Sequence, residues 1–125
     1  MADTKQVEEK SATIDFPDII TQLPEIDIHF PGVRGWLLQG GDHQIGFFDY
    51  IVPAEAEEHT HGAQWGVIVD GEMELTIGGV TKVYQKGDTY FIPEGVPHGA
   101  RWTGPLKSID YFDDRGRYKV KSEGG

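Results

Sequence analysis

Two of the five histidines, His59 and His61, stand two positions apart in residues 57–62 (EEHTHG). On an extended strand both imidazoles point to the same face, with their Cα atoms about 6.6 Å apart. At that separation two histidines can share one metal ion, because neutral imidazole nitrogen is a good ligand for Zn²⁺ and similar ions. Pairs at this spacing also occur in strands that bind nothing, so the pair predicts a metal site only together with further ligands.

The elements that must position these histidines have the pattern of an all-β protein. Met73, Leu75 and Ile77 alternate with polar residues, which gives a strand one buried and one solvent-facing side. Gly78 and Gly79 are a two-residue hairpin signal, and turn residues recur about every eight to twelve positions. The predicted strands are residues 26–30, 33–39, 44–52, a short one at His59, 65–69, 73–77, 80–84, 89–92, 99–103 and 106–112. We therefore expect an all-β sandwich or jelly-roll barrel without a long helix.

The length of 125 residues fits one domain that buries its own core. Residues 1–13 are charged and carry few apolar side chains, so we expect a disordered or extended arm there. The barrel is predicted to occupy residues 14–118, and residues 119–125 to form a flexible tail.

The charge balance excludes several partners. Eleven Lys and Arg residues against 21 Asp and Glu residues give a net charge of −10, which repels a nucleic-acid backbone. The absence of cysteine excludes disulfides, thiolate nucleophiles and cysteine-ligated metal centres. No apolar run reaches the roughly 20 residues that span a bilayer, and the first ten residues do not have the pattern of a secretory signal. We expect a soluble, cytoplasmic protein that binds neither nucleic acid nor membrane.

A second segment, residues 87–98 (GDTYFIPEGVPH), supplies the further evidence that the histidine pair needs to predict a metal site. The two segments resemble the paired motifs of the cupin superfamily. Gly87, Pro93, Gly95 and His98 match the second motif, and His59, His61 and Gly71 match the first. The resemblance covers roughly residues 45–112 and implies the cupin double-stranded β-helix, a jelly-roll barrel. It also implies that His59, His61 and His98 hold one divalent transition metal, such as Zn, Ni, Mn or Fe.

Besides the three histidines, the common cupin pattern has an acidic residue as a fourth metal ligand. This chain departs from the pattern at that position. The position of the usual acidic ligand falls on Gln64, whose amide oxygen can bind a divalent ion but brings no charge. Either Gln64 completes the metal shell or it only forms hydrogen bonds in the barrel mouth. A shell of three histidines and one glutamine would leave the metal its full double positive charge and favour an anionic ligand.

Strand alternation supplies the candidates for proton transfer and substrate binding. In residues 44–52 the parity that turns Phe48 inward also turns Tyr50 inward, and in residues 106–112 Asp110 shares a face with Ser108. Arg101 and Trp102 point to opposite faces, so one of them faces the cavity. Asp110 and Tyr50 are therefore candidate acids or bases, and Arg101 is a candidate partner for a substrate carboxylate. We interpret His29 and His43 as surface or structural histidines.

The C-terminal stretch, residues 110–117 (DYFDDRGR), is similar to the tail of small cupins that linearise unsaturated uronates in pectin and alginate breakdown. In those proteins an aspartate on the last strand and a following arginine flank the metal, which implies roles for Asp110 and Arg115 here. The spacing of Arg115 and of Arg117 each differs by one residue from that pattern.

The leading hypothesis is a metal-dependent cupin enzyme that acts on a small anionic molecule, a sugar acid or keto acid, by isomerisation, tautomerisation or lyase chemistry. An Fe(II)-dependent dioxygenase is the first alternative, because three neutral imidazoles leave positions for substrate and oxygen. A binding module without turnover is the second. By analogy with cupins of this size, we expect a homodimer.

Overall fold

The computed structural model describes residues 15–122 and consists of two antiparallel sheets with one short helix. The helix α1 spans Asp18–Thr21. The strands are β1 Val33–Gln39, β2 Gln44–Tyr50, β3 Ala54–His59, β4 Gln64–Asp70, β5 Glu72–Ile77, β6 Val80–Gln85, β7 Thr89–Ile92, β8 His98–Trp102 and β9 Leu106–Phe112. The all-β jelly-roll prediction is confirmed.

The strand order shows how the chain alternates between the sheets. The five-stranded sheet has the order β1-β2-β9-β4-β7 and the four-stranded sheet has the order β3-β8-β5-β6. Neighbouring strands in each sheet are therefore mostly distant in sequence, and every pairing is antiparallel. This topology brings β3 and β8, which carry His59 and His98, side by side.

Glycine makes the predicted hairpin possible. Gly78 and Gly79 connect β5 to β6 with φ angles of 56° and 84°. Positive φ at both central residues is the requirement of a type I′ turn, which side chains with a Cβ rarely satisfy. The turn sets the register that pairs Ile77 with Val80.

The core lies between the sheets and holds the alternating apolar residues of both. One cluster contains Ile68, Met73, Leu75, Tyr90, Ile92, Trp102 and Leu106, and a second contains Ile26, Leu37, Phe48 and Phe112. Each large aliphatic side chain that is fully buried contributes about 1.5–3 kcal/mol to the free energy of unfolding. Within residues 15–122, no helix is long and apolar enough to cross a membrane.

Two predicted segments differ from the structure. Residues 26–30 do not form a regular strand, because their pairing is limited to isolated bridges of Glu25 with Trp36 and of Ile26 with Val120. The backbone N–H groups of Asp27 and Lys121 donate to the carbonyls of Lys119 and Glu25. Residues 119–121 are thus hydrogen-bonded to the barrel, although we expected a flexible tail from residue 119. The predicted arm, residues 1–13, lies outside the described residues.

Candidate metal centre

Three histidines meet at one end of the cavity between the sheets. His59 ends β3, His98 begins β8 opposite it, and His61 lies in the loop that leads to β4. One ring nitrogen from each residue lies within 4.8 Å of the others. The expectation that His59 and His61 share one strand is wrong, because β3 ends at His59. The change of direction after β3 brings His61 next to His98.

The Nδ1 atom of each imidazole ring forms a hydrogen bond with a backbone carbonyl group. The Nδ1 atoms of His59, His61 and His98 lie 2.9, 2.7 and 2.9 Å from the carbonyl oxygens of Glu57, Gly62 and Val96. A carbonyl can only accept, so each Nδ1 carries the proton and donates it. The three Nε2 atoms therefore present lone pairs to one another, which is the tautomer that metal-binding histidines use.

The spacing of the Nε2 atoms fits a metal ion. Nε2 of His61 and Nε2 of His98 are 3.0 Å apart. With both Nδ1 atoms protonated, neither Nε2 can donate to the other, and a cation between them would stabilise this approach. Two ligands at about 2.1 Å from one ion are about 3.0 Å apart when they subtend a right angle. The residues present fit a three-histidine metal site.

Burial suppresses protonation of His61 and His98. It lowers the pKa of His61 to about 4, and the guanidinium of Arg117 adds to the effect. The pKa of His98 is also lowered, chiefly by burial. Both rings are therefore neutral near pH 7, which is the state that a metal requires.

These shifts predict how the stability of the metal-free protein depends on pH. Between about pH 6.5 and pH 4 the unfolded chain binds a proton at residue 61 that the folded chain does not. The free energy of unfolding should therefore fall as the pH is lowered through this window, by about 1 kcal/mol for this partly buried ring after allowance for solvent screening. Urea denaturation of chelator-treated protein at several pH values measures it.

The matched control for this prediction is His61→Asn, which removes the titrating group. Its stability should vary less between pH 6.5 and pH 4 than that of the wild type. The comparison is needed because burial raises the pKa of Asp110, which stabilises the fold toward lower pH and opposes the histidines. Identical pH profiles for the two proteins would contradict the assignment to His61.

A buried carboxylate organises the wall of the cavity next to the histidines. Asp110 is 1% exposed, and its Oδ1 atom accepts hydrogen bonds from Tyr90 Oη at 2.6 Å and Gln64 Nε2 at 2.9 Å. Its Oδ2 atom accepts from Ser108 Oγ at 2.7 Å. Because the hydroxyl proton of Ser108 is donated to Asp110, Ser108 Oγ can only accept from Tyr50 Oη, which lies 3.3 Å away. Two cavity-wall phenols are connected through one carboxylate.

Burial raises the pKa values of both phenols. For Tyr50 and Tyr90 the main cause is burial, and the charge of Asp110 adds to it. Burial likewise raises the pKa of Asp110 itself, against the hydrogen bonds that stabilise its charge. Both tyrosines therefore keep their protons at neutral pH and can act as acids or hydrogen-bond donors.

The cavity has a volume of about 380 Å³ and a mostly apolar wall. Tyr50, Gln64, Tyr90 and the three histidines line it together with aliphatic and aromatic residues such as Phe48, Leu75 and Trp102. Asp110 is not part of the lining, since it lies behind Tyr90 and Gln64. Its predicted role as an acid or base therefore requires a neighbour that reaches the cavity.

The two arginines predicted to bind substrate lie elsewhere. Arg101 points to the outer side of β8, where it forms an ion pair with Glu74 at 2.8 Å. Arg115 is exposed, and its backbone carbonyl accepts hydrogen bonds from Gln39 and Gln44. Neither lines the cavity, which corrects both predictions. His29 and His43 also lie outside it.

Arg117 is the arginine that lies at the cavity, where Arg101 and Arg115 were predicted. It lines the cavity, with its guanidinium 4.4 Å from the ring centroid of Tyr118 and 5.9 Å from that of Phe112. Its Nε atom is buried without a hydrogen-bond partner among the described residues. A buried donor without a partner is costly, so Arg117 is suited to a ligand that supplies an acceptor.

A comparison with known families identifies the family of this chain. The sequence model of the Cupin_2 family, the cupin domain, matches residues 47–112. The chain belongs to the cupin family. This cupin is 33% identical over 90 residues to the H2HPP isomerase of Bacillus subtilis, a match that covers 70% of the chain and 38% of the isomerase. It thus spans about two fifths of the length of that relative.

Solved structures give the same fold. An RmlC-like cupin from Shewanella frigidimarina is 27% identical with a TM-score of 0.69, and the match covers 86% of this cupin and 96% of that chain. KdgF from Halomonas sp. is 24% identical with a TM-score of 0.63, with coverage of 70% and 83%. At that identity the second similarity concerns the fold alone.

Proposed function

We propose that this cupin is a metal-dependent enzyme that isomerises or tautomerises a small anionic molecule, such as a sugar acid or keto acid. The observation that carries the proposal is one cavity that holds three imidazoles, an arginine with an unused donor and two phenols joined by a buried carboxylate. The similarity to a relative named as an isomerase supports the same reaction class.

The proposed metal ligands are His59, His61 and His98, with the amide oxygen of Gln64 as the fourth. Nε2 of Gln64 donates to Asp110, so Oε1 is the atom that would serve as a ligand. All four ligands are neutral, which leaves the ion its full charge for an anionic substrate. When bound, a divalent metal would polarise a carbonyl or hydroxyl group of that substrate.

Proton transfer is the proposed task of the phenols. A tautomerisation removes a proton from one atom of the substrate and adds a proton at another. The chain Tyr50–Ser108–Asp110–Tyr90 can take up a proton at one phenol oxygen while the other phenol releases one, and the carboxylate ends unchanged. The substrate gains and loses one proton, so no further reactant is needed.

The first experiment is elemental analysis of the purified protein beside the variant His59→Ala/His61→Ala. We expect about one equivalent of a transition metal per chain in the wild type and its loss in the variant. A wild type that takes up no Zn, Ni, Mn or Fe(II) from excess would contradict the proposal.

Turnover then separates the reaction classes. Unsaturated uronates and keto acids are followed by NMR without oxygen, and the proposal expects conversion under these conditions. Oxygen consumption with aromatic diols or diketones would instead support an Fe(II)-dependent dioxygenase, for which the all-imidazole site is the favouring observation. Tight ligand binding without conversion in either assay would favour a binding module.

Arg117 provides a prediction about substrate charge. Arg117→Gln should raise KM for a carboxylate substrate about 10- to 100-fold, the loss expected for a charged hydrogen bond. Metal content should not change. Arg115→Gln is the matched control and should leave KM as it is, because Arg115 lies outside the cavity. Equal effects of the two substitutions would count against this role.

A further inference from the structure

The cavity between the sheets is polar at one end and apolar at the other. Strand β8 runs along its wall, and the alternate residues His98, Ala100 and Trp102 line it. His98 belongs to the metal site, and Trp102 lies four residues further along the strand, about 13 Å away. We call the part of the cavity next to Trp102 the apolar end. Six side chains that pack in one cluster line it: Phe30, Val33, Tyr50, Met73, Leu75 and Trp102.

The hydrogen-bond donors of the aromatic wall are already used by the protein. Trp102 Nε1 donates to a backbone carbonyl at 2.8 Å, and the phenol of Tyr50 donates to Ser108. The phenol of Tyr90 donates to Asp110 in the same way. A hydroxyl group of a ligand can donate to one of these phenol oxygens, but the three aromatic side chains offer it no donor. Several ligand hydroxyl groups would therefore be buried with too few partners, which is costly.

The opposite end of the cavity supplies the charge. Apart from the histidines, the lining residues that the structure describes include one basic side chain, Arg117, and one acidic side chain, the exposed Glu57. The guanidinium of Arg117 lies 5.9 Å from the ring centroid of Phe112, which in turn lies 6.2 Å from that of His61. The unpartnered donor of Arg117 is thus next to the metal site, where a carboxylate can accept from it.

We propose that the cavity selects a carboxylate whose body is a hydrocarbon ring. The carboxylate lies at Arg117 beside the metal site, and the ring lies at the apolar end. This selection rests on the proposed function, since it assigns the substrate of that same site. It narrows the substrate to a keto acid that carries such a ring, and it disfavours sugar acids, whose hydroxyl groups find too few partners at the apolar end.

The size and shape of the cavity fit such a molecule. Its volume of about 380 Å³ has room for about twelve groups of the size of water, at roughly 30 Å³ each. A six-membered ring with a short carboxylate chain is of that size. The ring centroids of Phe30 and Tyr50 lie 5.8 and 4.9 Å from that of Trp102, at tilted and edge-on angles. Aromatic side chains in this arrangement favour contact with another flat ring.

The first test compares two monocarboxylates of similar size by isothermal titration calorimetry with the purified protein. 3-Phenylpropanoate carries a ring, and gluconate carries hydroxyl groups in its place. We expect 3-phenylpropanoate to bind at least about 100-fold more tightly, because each hydroxyl group buried without a partner weakens binding about tenfold. The proposal is overturned if 3-phenylpropanoate does not bind at about 10 mM, or binds no more tightly than gluconate.

Variants at the apolar end locate the ring. Phe30→Ala removes apolar contact and should weaken 3-phenylpropanoate binding about tenfold, whereas the matched control Phe91→Ala, at an exposed residue outside the cavity, should leave it unchanged. Val33→Thr keeps the side-chain volume and adds a hydroxyl group, so it should weaken binding even if Phe30→Ala does not fold. Wild-type affinity in Val33→Thr and in a folded Phe30→Ala would show that the ring lies elsewhere.

Turnover separates this selection from the proposed function. Tautomerisation of phenylpyruvate is followed by the ultraviolet absorbance of its enol, beside conversion of an unsaturated uronate followed by NMR. A larger kcat/KM for the uronate would keep the proposed reaction class and overturn the selection of a ring. Tight binding of 3-phenylpropanoate with no conversion of either substrate would support the selection and count against the proposed enzyme.

Discussion

Replacement of Asp110 by asparagine is expected to lower turnover about 100- to 1000-fold with little loss of stability or metal. A loss of turnover of this size is typical when a general acid–base path is removed. Oδ1 of an asparagine can still accept from Tyr90 and Gln64, and its Nδ2 can donate to Ser108 Oγ, which reverses that bond. The packing is kept, but no carboxylate remains to pass a proton between the phenols.

The controls distinguish this role from a structural one. Tyr90→Phe and Ser108→Ala interrupt the two branches of the network one at a time, and each should lower turnover while Asp110 keeps its other partner. Because Asp110 acts through its neighbours, its substitution should also alter the pH profile of kcat more than KM. Full activity in Asp110→Asn, or a loss explained by unfolding in urea, would remove Asp110 from the mechanism.

Strand alternation predicts much of this network from the sequence. On β9 it groups Ser108, Asp110 and Phe112 on one face, which the structure turns inward, and on β2 it groups Phe48 with Tyr50. The same rule excludes Arg101, which is an odd number of positions from the inward-facing His98 on β8. Tyr90 also follows from parity with the buried Ile92, although the predicted site did not include it.

The position of Arg117 could not be predicted in this way. It follows the last strand, where no periodicity fixes the direction of a side chain. Its neighbours are held by Gln44, whose side chain donates to the carbonyls of Arg115 and Tyr118 and accepts from the N–H of Tyr118. These bonds join residues more than seventy positions apart, so a local pattern carries no information about them. The selection of Arg115 over Arg117 failed for this reason.

Gly66→Ala is expected to destabilise the protein by about 3 kcal/mol, at the upper end for an overpacked core. Gly66 lies on β4 between Asp110 of β9 and Tyr90 of β7. A Cβ atom at this position would overlap the Asp110 carboxylate and the Tyr90 ring. Both groups are buried and hydrogen-bonded to each other, so neither can move without breaking that bond.

Urea denaturation measures this loss, and Gly41→Ala is the matched control. Nothing lies within 4 Å of a Cβ atom at residue 41, so that substitution should be neutral or slightly stabilising. A wild-type free energy of unfolding in Gly66→Ala would mean that Asp110 and Tyr90 have room to separate. The proposed proton path requires that Asp110 and Tyr90 stay in contact. Their hydrogen bond depends on the absence of a side chain at Gly66.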